Sequence, residues 1–141
     1  MIASTRSASS LQPGDALPAA EKTFTAVELV MYGAATWDWH RLHYDPDFAD
    51  AMQLPGPVVD GQVYGAMFAK QALDWLGPKA FVRRLVFRMR SVAFAGDTLR
   101  LEGEVIELRD GRSFDVVVLD QRLTNNGRRV AEATTEVRLP R

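Results

Sequence analysis

Between Asp60 and Pro78 the chain carries a helix pattern that leaves almost no face for water. Val63, Tyr64, Ala66, Met67, Phe68, Ala69, Ala72, Leu73, Trp75 and Leu76 cover the cylinder, and only Lys70, Gln71 and Asp74 interrupt them. A helix apolar on every side has to be enclosed, because exposed apolar surface costs about 25 cal/mol per Å2. A membrane is not the enclosure: a span needs roughly 20 apolar residues in a row, and the sequence has no such run. Asp60 reads as the N-cap and Gly77-Pro78 as the stop, while Gly65 inside the run signals a close backbone approach.

The wrapper has to come from the same core, since 141 residues are close to the length of one domain. After the helix the period changes to two. Leu85, Phe87 and Met89 alternate with Arg84, Arg88 and Arg90; Leu99, Leu101 and Val105 with Arg100, Glu102 and Glu104; Ala131, Ala133, Thr135 and Val137 with Glu132, Thr134 and Glu136. Phe114 to Leu123 is apolar on both faces and is expected to be a central strand. Gly96-Asp97, Asp110-Gly111 and Asn126-Gly127 punctuate these runs, which predicts a meander of long antiparallel strands. The fold class expected from periodicity is α+β, one central helix against an antiparallel sheet.

Upstream, residues 1–18 are rich in Ser, Ala, Pro and Gly, show no period, and are expected to be a flexible arm before a folded domain at 19–141. A short entry strand closes at Thr23 to Thr25. Ala26 to Thr36 then carries Val27, Val30, Met31 and Ala34 at helical spacing, with Thr25 and Glu28 forming a capping box. The lack of cysteine removes disulfides, thiolate metal sites and a cysteine nucleophile, and favours a reducing, cytoplasmic setting. Lys+Arg 17 against Asp+Glu 18 leaves a net charge of −1, without the basic field expected of a nucleic-acid binder.

The segment Trp37 to Pro57 has no period, and loops of this length in a small domain are usually functional. Both histidines of the chain, His40 and His43, lie there beside Asp38 and Asp45. Imidazole exchanges a proton near neutral pH and a neighbouring carboxylate takes the complementary role, while Trp37 and Trp39 lower the local dielectric. From the residues alone, a solvated polar loop and a metal set of Asp38, His40, His43 and Asp45 remain open beside acid–base chemistry.

Tyr32, Thr36, Asp38, His43, Asp45 and Ala49, followed by Val58-Val59-Asp60-Gly61 and Ala95-Gly96-Asp97-Thr98-Leu99, resemble the loop, helix start and later hairpin of the MaoC-like (R)-specific enoyl-CoA hydratases and 3-hydroxyacyl-thioester dehydratases. The usual Asn-Pro is replaced by His40-Arg41, as in the mesaconyl-CoA hydratase and mitochondrial-type branch, which leaves the acyl group open. The resemblance implies a single hotdog fold, a long central helix wrapped by a curved antiparallel sheet. It implies Asp38 and His43 as the catalytic dyad, Gly61 as the backbone donor to the thioester carbonyl, and an acyl thioester of coenzyme A or a carrier protein as substrate. It implies no metal and no organic cofactor, and at least a homodimer, with a heterodimer in which this chain is the catalytic subunit as the alternative; a thioesterase is the rival chemistry on the same fold. His40, Tyr64 and Met67 are candidate substrate-lining residues. Arg84, Arg88 and Arg90 share a strand face that is either solvated or meets the carrier's phosphates.

Overall fold

A computed structural model describes residues 5–141. Five strands, β1 (Ala20–Thr23), β2 (Phe81–Met89), β3 (Thr98–Arg109), β4 (Phe114–Asn125) and β5 (Arg128–Pro140), form one antiparallel sheet in the order β1-β3-β4-β5-β2. Helices α1 (Ala26–Thr36), α2 (Pro46–Ala51) and α3 (Gln62–Leu76) precede β2. The sheet curls around α3 in the hotdog arrangement. Tyr64 and Phe68 of α3 pack on Leu99, Leu101, Leu123, Ala131 and Ala133, and Ala72 and Leu76 pack on Val105, Val117, Leu119, Val137 and Leu139. No helix among the described residues is long and apolar enough to cross a membrane.

The doubly apolar strand is central as expected: Val117 and Leu119 face α3 while Val116 and Val118 are buried on the other face. Asn126 and Gly127 close the β4–β5 hairpin with φ of 48° and 81°, the left-handed pair that matches strand twist. Only β3, β4 and β5 form the meander. β2 pairs with β5 on the far edge, so Gly96-Asp97 ends a crossover rather than a hairpin. The physical reason is that a strand leaving α3 can cover the exposed edge of β5, and its chain must then cross the sheet end to reach β3. Arg84 and Arg88 stand opposite Glu136 and Glu132 on the outer face, and Arg90 is bonded to Glu132, so this trio belongs to the solvated side of the sheet.

Three local expectations change. The first four residues of the expected arm lie outside the described residues, but its remainder is packed rather than flexible. Ala8, Leu11 and Leu17 are buried, the Gly14 and Leu17 N–H groups donate to Val105 O and Gly103 O at 2.8 Å each, and Val105 N–H returns to Asp15 O at 2.9 Å. β1 is too short to cover the edge of β3, and this segment satisfies the backbone groups left over.

In α1 the Val27, Val30, Met31 stripe faces solvent, Val27 being 68% and Met31 64% exposed, while Leu29 and Gly33 are buried. The contact face is chosen by the absent side chain of Gly33, where a Cβ would stand 2.8 Å from Asp38 O. Gln71, expected to break the apolar surface, points inward. Its amide donates to Pro18 O at 2.9 Å, and the Gln121 amide donates to Gln71 Oε1 and Phe68 O, each at 2.9 Å, while Gln121 accepts the Thr135 hydroxyl at 2.6 Å. Every polar atom of this buried chain is thus paired, which is the condition for tolerating it under the helix.

Candidate active site

The site is assembled by the ends of α1 and α3. After Thr36 the chain reverses at Trp37, held in the left-handed region at φ 59°, and the Asp38 N–H donates back to Gly33 O at 2.9 Å. Asp38 Oδ1 then accepts the His40 N–H at 3.1 Å, which leaves Oδ2 turned toward His43. The His40 ring starts a single 3-10 turn, Arg41–His43, by accepting the Leu42 N–H on Nδ1 at 3.1 Å. His40 therefore shapes the loop.

His43 is locked from the opposite side. Its Nδ1 lies 2.7 Å from Val58 O, and because a carbonyl only accepts, Nδ1 carries a hydrogen in either protonation state and Nε2 is the nitrogen left to gain or lose a proton. Nε2 stands 3.9 Å from Asp38 Oδ2, with the two side chains 16% and 32% exposed. Val58 is itself pinned: its N–H donates to Leu42 O at 2.9 Å, Val59 N–H to Ala93 O at 2.8 Å, and Ala95 N–H to Pro57 O at 2.9 Å. The crossover between β2 and β3 thus anchors the strand of chain that enters α3.

Gly61 is the N-cap residue of α3, one position later than the Asp60 expected from sequence, although Asp60 Oδ1 still accepts the Gln62 N–H at 2.9 Å. No hydrogen bond involves the Gly61 N–H among the described residues, and the Met89 thioether covers the position a Cβ would take. The open N–H and the helix dipole together favour an oxygen with developing negative charge.

Of the other expected residues, Met67 lines a groove of about 1150 Å3 between β1 and α3, bounded also by Phe24, Val63, Trp75 and Leu101. Tyr64 lines neither this groove nor the smaller cleft at His43: it is 1% exposed in the core, its hydroxyl without a partner although the Ala93 backbone is near, and burial, followed by the charges of Asp97 and Asp60, pushes its pKa up to about 12. The four-residue metal set is not brought together. Asp45 caps α2 by accepting the Asp47 and Phe48 N–H groups and is bonded to Arg41 at 2.8 Å, and the Arg41 guanidinium holds its carboxyl below the usual range.

In its place stands a group that includes a residue sequence reasoning assigned only to capping. Asp60, 8% exposed, has one carboxylate oxygen buried without a partner, and one ligand atom each from Asp38, His43 and Asp60 lie within 4.8 Å of one another. A cleft of about 10 Å3 adjoins it, walled by Phe24, Leu29, Tyr32, Val63, His43 and Asp60, and Phe24 and Val63 also line the larger groove. Burial and then the Asp60 charge raise the pKa of Tyr32. The available signal for Asp60 was its place between the Val58-Val59 pair and Gly61, a position the resemblance requires only to be polar.

Residues 9–126 match the MaoC-like domain family. The chain is 30% identical over 123 residues to the (R)-specific enoyl-CoA hydratase of Aeromonas caviae, spanning 84% of this chain and 89% of that protein. Among solved structures it is similar to the (R)-hydratase from A. caviae involved in PHA biosynthesis, with a TM-score of 0.86, 27% identity, and coverage of 94% of this chain and 100% of that one. It is also similar in fold to a chain of the ChsH1-ChsH2 complex from Mycobacterium tuberculosis, with a TM-score of 0.83 at 24% identity over 91% of this chain and 98% of that one.

Proposed function

The chain belongs to the MaoC-like dehydratase family, and from that premise we propose that it catalyses reversible hydration of a trans-2-enoyl thioester to a 3-hydroxyacyl thioester. The observation that carries this reading is the Asp38–His43 pair: Nε2 faces Oδ2 across 3.9 Å, a gap that accommodates the oxygen of one water, beside the open start of α3. His43 enters this step as the imidazolium, one hydrogen on Nδ1 for Val58 O and a second on Nε2; Asp38 takes a proton from the water as its oxygen bonds to the β-carbon, and His43 delivers the Nε2 proton to the α-carbon and is left neutral. Both groups act from one side of the double bond, so addition is syn. The enolate oxygen formed between these steps is received by the Gly61 N–H at the positive end of α3. The proton on Asp38 then returns to His43 across the same gap, and dehydration runs the sequence backward.

The thioester itself acidifies the α-proton, so this chemistry asks for no organic cofactor; the acyl group rides on coenzyme A or a carrier protein. The free edge of β2, with Phe81, Val86 and Met89 exposed, supports pairing with a second copy or with a related subunit.

The test is a panel of enoyl thioesters followed by loss of the conjugated double-bond absorbance. Asp38→Asn and His43→Ala should each lower kcat by about 10²-fold or more, the size of a general acid–base contribution. A parent inert on the whole panel, or variants that match it, defeats the proposal.

A further inference from the structure

We propose that Asp60 is a third catalytic group of this site, the acceptor that fixes the second O–H of the attacking water. The inference rests on the hydration reading and adds a residue to it. Its starting point is the buried carboxylate oxygen that nothing in the described residues satisfies, on a side chain only 8% exposed. Buried polar atoms are nearly always paired, and an orphan beside a reactive pair points to water or a ligand atom.

The geometry has room for such an atom. Three ligand atoms within 4.8 Å of one another can all be reached from a central point at about 2.8 Å, an ordinary hydrogen-bond length. The adjoining cleft of about 10 Å3 is lined by His43, Asp60 and Tyr32 and is close to the smallest space that holds one water. A tetrahedral metal at about 2.1 Å would need ligands about 3.4 Å apart, closer than the 3.9 Å between His43 Nε2 and Asp38 Oδ2.

Water has two O–H bonds and two lone pairs. Asp38 and Asp60 accept the two O–H groups, the His43 Nε2–H donates to one lone pair, and the remaining lone pair is aimed at the β-carbon. Asp38 takes the transferred proton. Asp60 exchanges no proton, so its contribution is to hold the water in the attacking orientation. With Asp38 and His43 alone, the second O–H and the remaining lone pair of the water can exchange places, and the acceptor at Asp60 selects the arrangement that aims the lone pair at the β-carbon.

Asp60→Asn keeps the shape but substitutes a donor for an acceptor, and Asp60→Ser keeps a helix-start acceptor without the reach. Both should lower kcat by about tenfold or more with KM within about threefold of the parent, while thermal melting stays close to the parent's. A high-resolution crystal structure of the parent should show an ordered oxygen within about 3.2 Å of Asp38, His43 and Asp60. If either folded variant keeps the parental kcat, if no such oxygen is present, or if zinc or cobalt titrated into the parent binds there in stoichiometric amount, the proposal is overturned. Should both variants fail to fold, the ordered oxygen decides it. A parent that hydrates no enoyl thioester would instead sink the hydration reading, and an intact Asp60 variant with an active parent would sink only this one.

Discussion

A methyl group absent at Gly33 determines where Asp38 stands. The Asp38 carbonyl occupies the space a Cβ would need, 2.8 Å away, and it is backbone that cannot swing aside. Gly33→Ala should therefore push the loop off α1 and lower kcat by about tenfold with a smaller change in KM, measured on the best thioester of the panel. Tyr64 gives the opposite expectation. Its ring fills the core among Phe24, Leu99 and Leu123 while its hydroxyl is unpartnered, so Tyr64→Phe removes a buried polar atom and keeps the packing. Thermal melting of Tyr64→Phe should match or exceed the parent within about 1 kcal/mol, with activity unchanged. The approach of Asp38 to His43 was legible because the two lie five residues apart in one loop, and their roles with Gly61 were what the resemblance implied. Asp60 as a site residue was not, because its nearness to His43 depends on the crossover segment that pins Val58 and Val59 some thirty-five residues before Ala93 and Ala95 in the chain.

At the level of elements, the start of α1 is the part most directly readable. Thr25 accepts the Glu28 N–H at 3.2 Å and Glu28 returns to the Thr25 N–H at 2.9 Å. The Lys22 ammonium first, and then the Thr25 N–H, lower the Glu28 pKa from 4.5 to about 2. A carboxyl depressed in the folded state contributes stability that is complete above its unfolded pKa and is lost as pH falls through the folded one. Glu28→Gln should therefore lose less of its melting temperature than the parent between pH 4.5 and about 2, and equal losses would show that the cap is silent.

The N-terminal segment is the counterexample. Its Ser, Pro and Gly composition hides Ala8, Leu11 and Leu17, which are too few and too irregularly spaced to form a period, yet each is buried against the sheet or α3. Burying a leucine is worth roughly 1.5 to 3 kcal/mol, so removing residues 1–17 should cost on the order of 3 to 5 kcal/mol. Against a total stability of about 5 to 15 kcal/mol, that loss should appear as a clear fall in denaturation midpoint. A truncated chain as stable as the parent would show the segment to be dispensable.

For the molecule as a whole, the feature that bears on assembly is the outer edge of β2, the last strand of the sheet. Phe81, Val86 and Met89 lie exposed along a strand whose outer edge is unpaired among the described residues, and Met89 also covers Gly61, so any partner on that edge sits beside the start of α3. Light scattering at micromolar concentration should return at least twice the 15.7 kDa chain mass, and Val86→Lys should shift it toward the monomer. A parent that is monomeric would contradict this. The enclosed helix, the alternating strands, the doubly apolar central strand and the Asp–His loop follow from periods and spacings within about twenty residues, which are local enough to be written into sequence. Strand order, the inward turn of Gln71, the outward turn of the α1 stripe, the docked N-terminal segment and the placing of Asp60 beside His43 arise from contacts between segments far apart in the chain. There, steric room and unsatisfied backbone groups outweigh local pattern, and neither exists until the sheet has closed around α3.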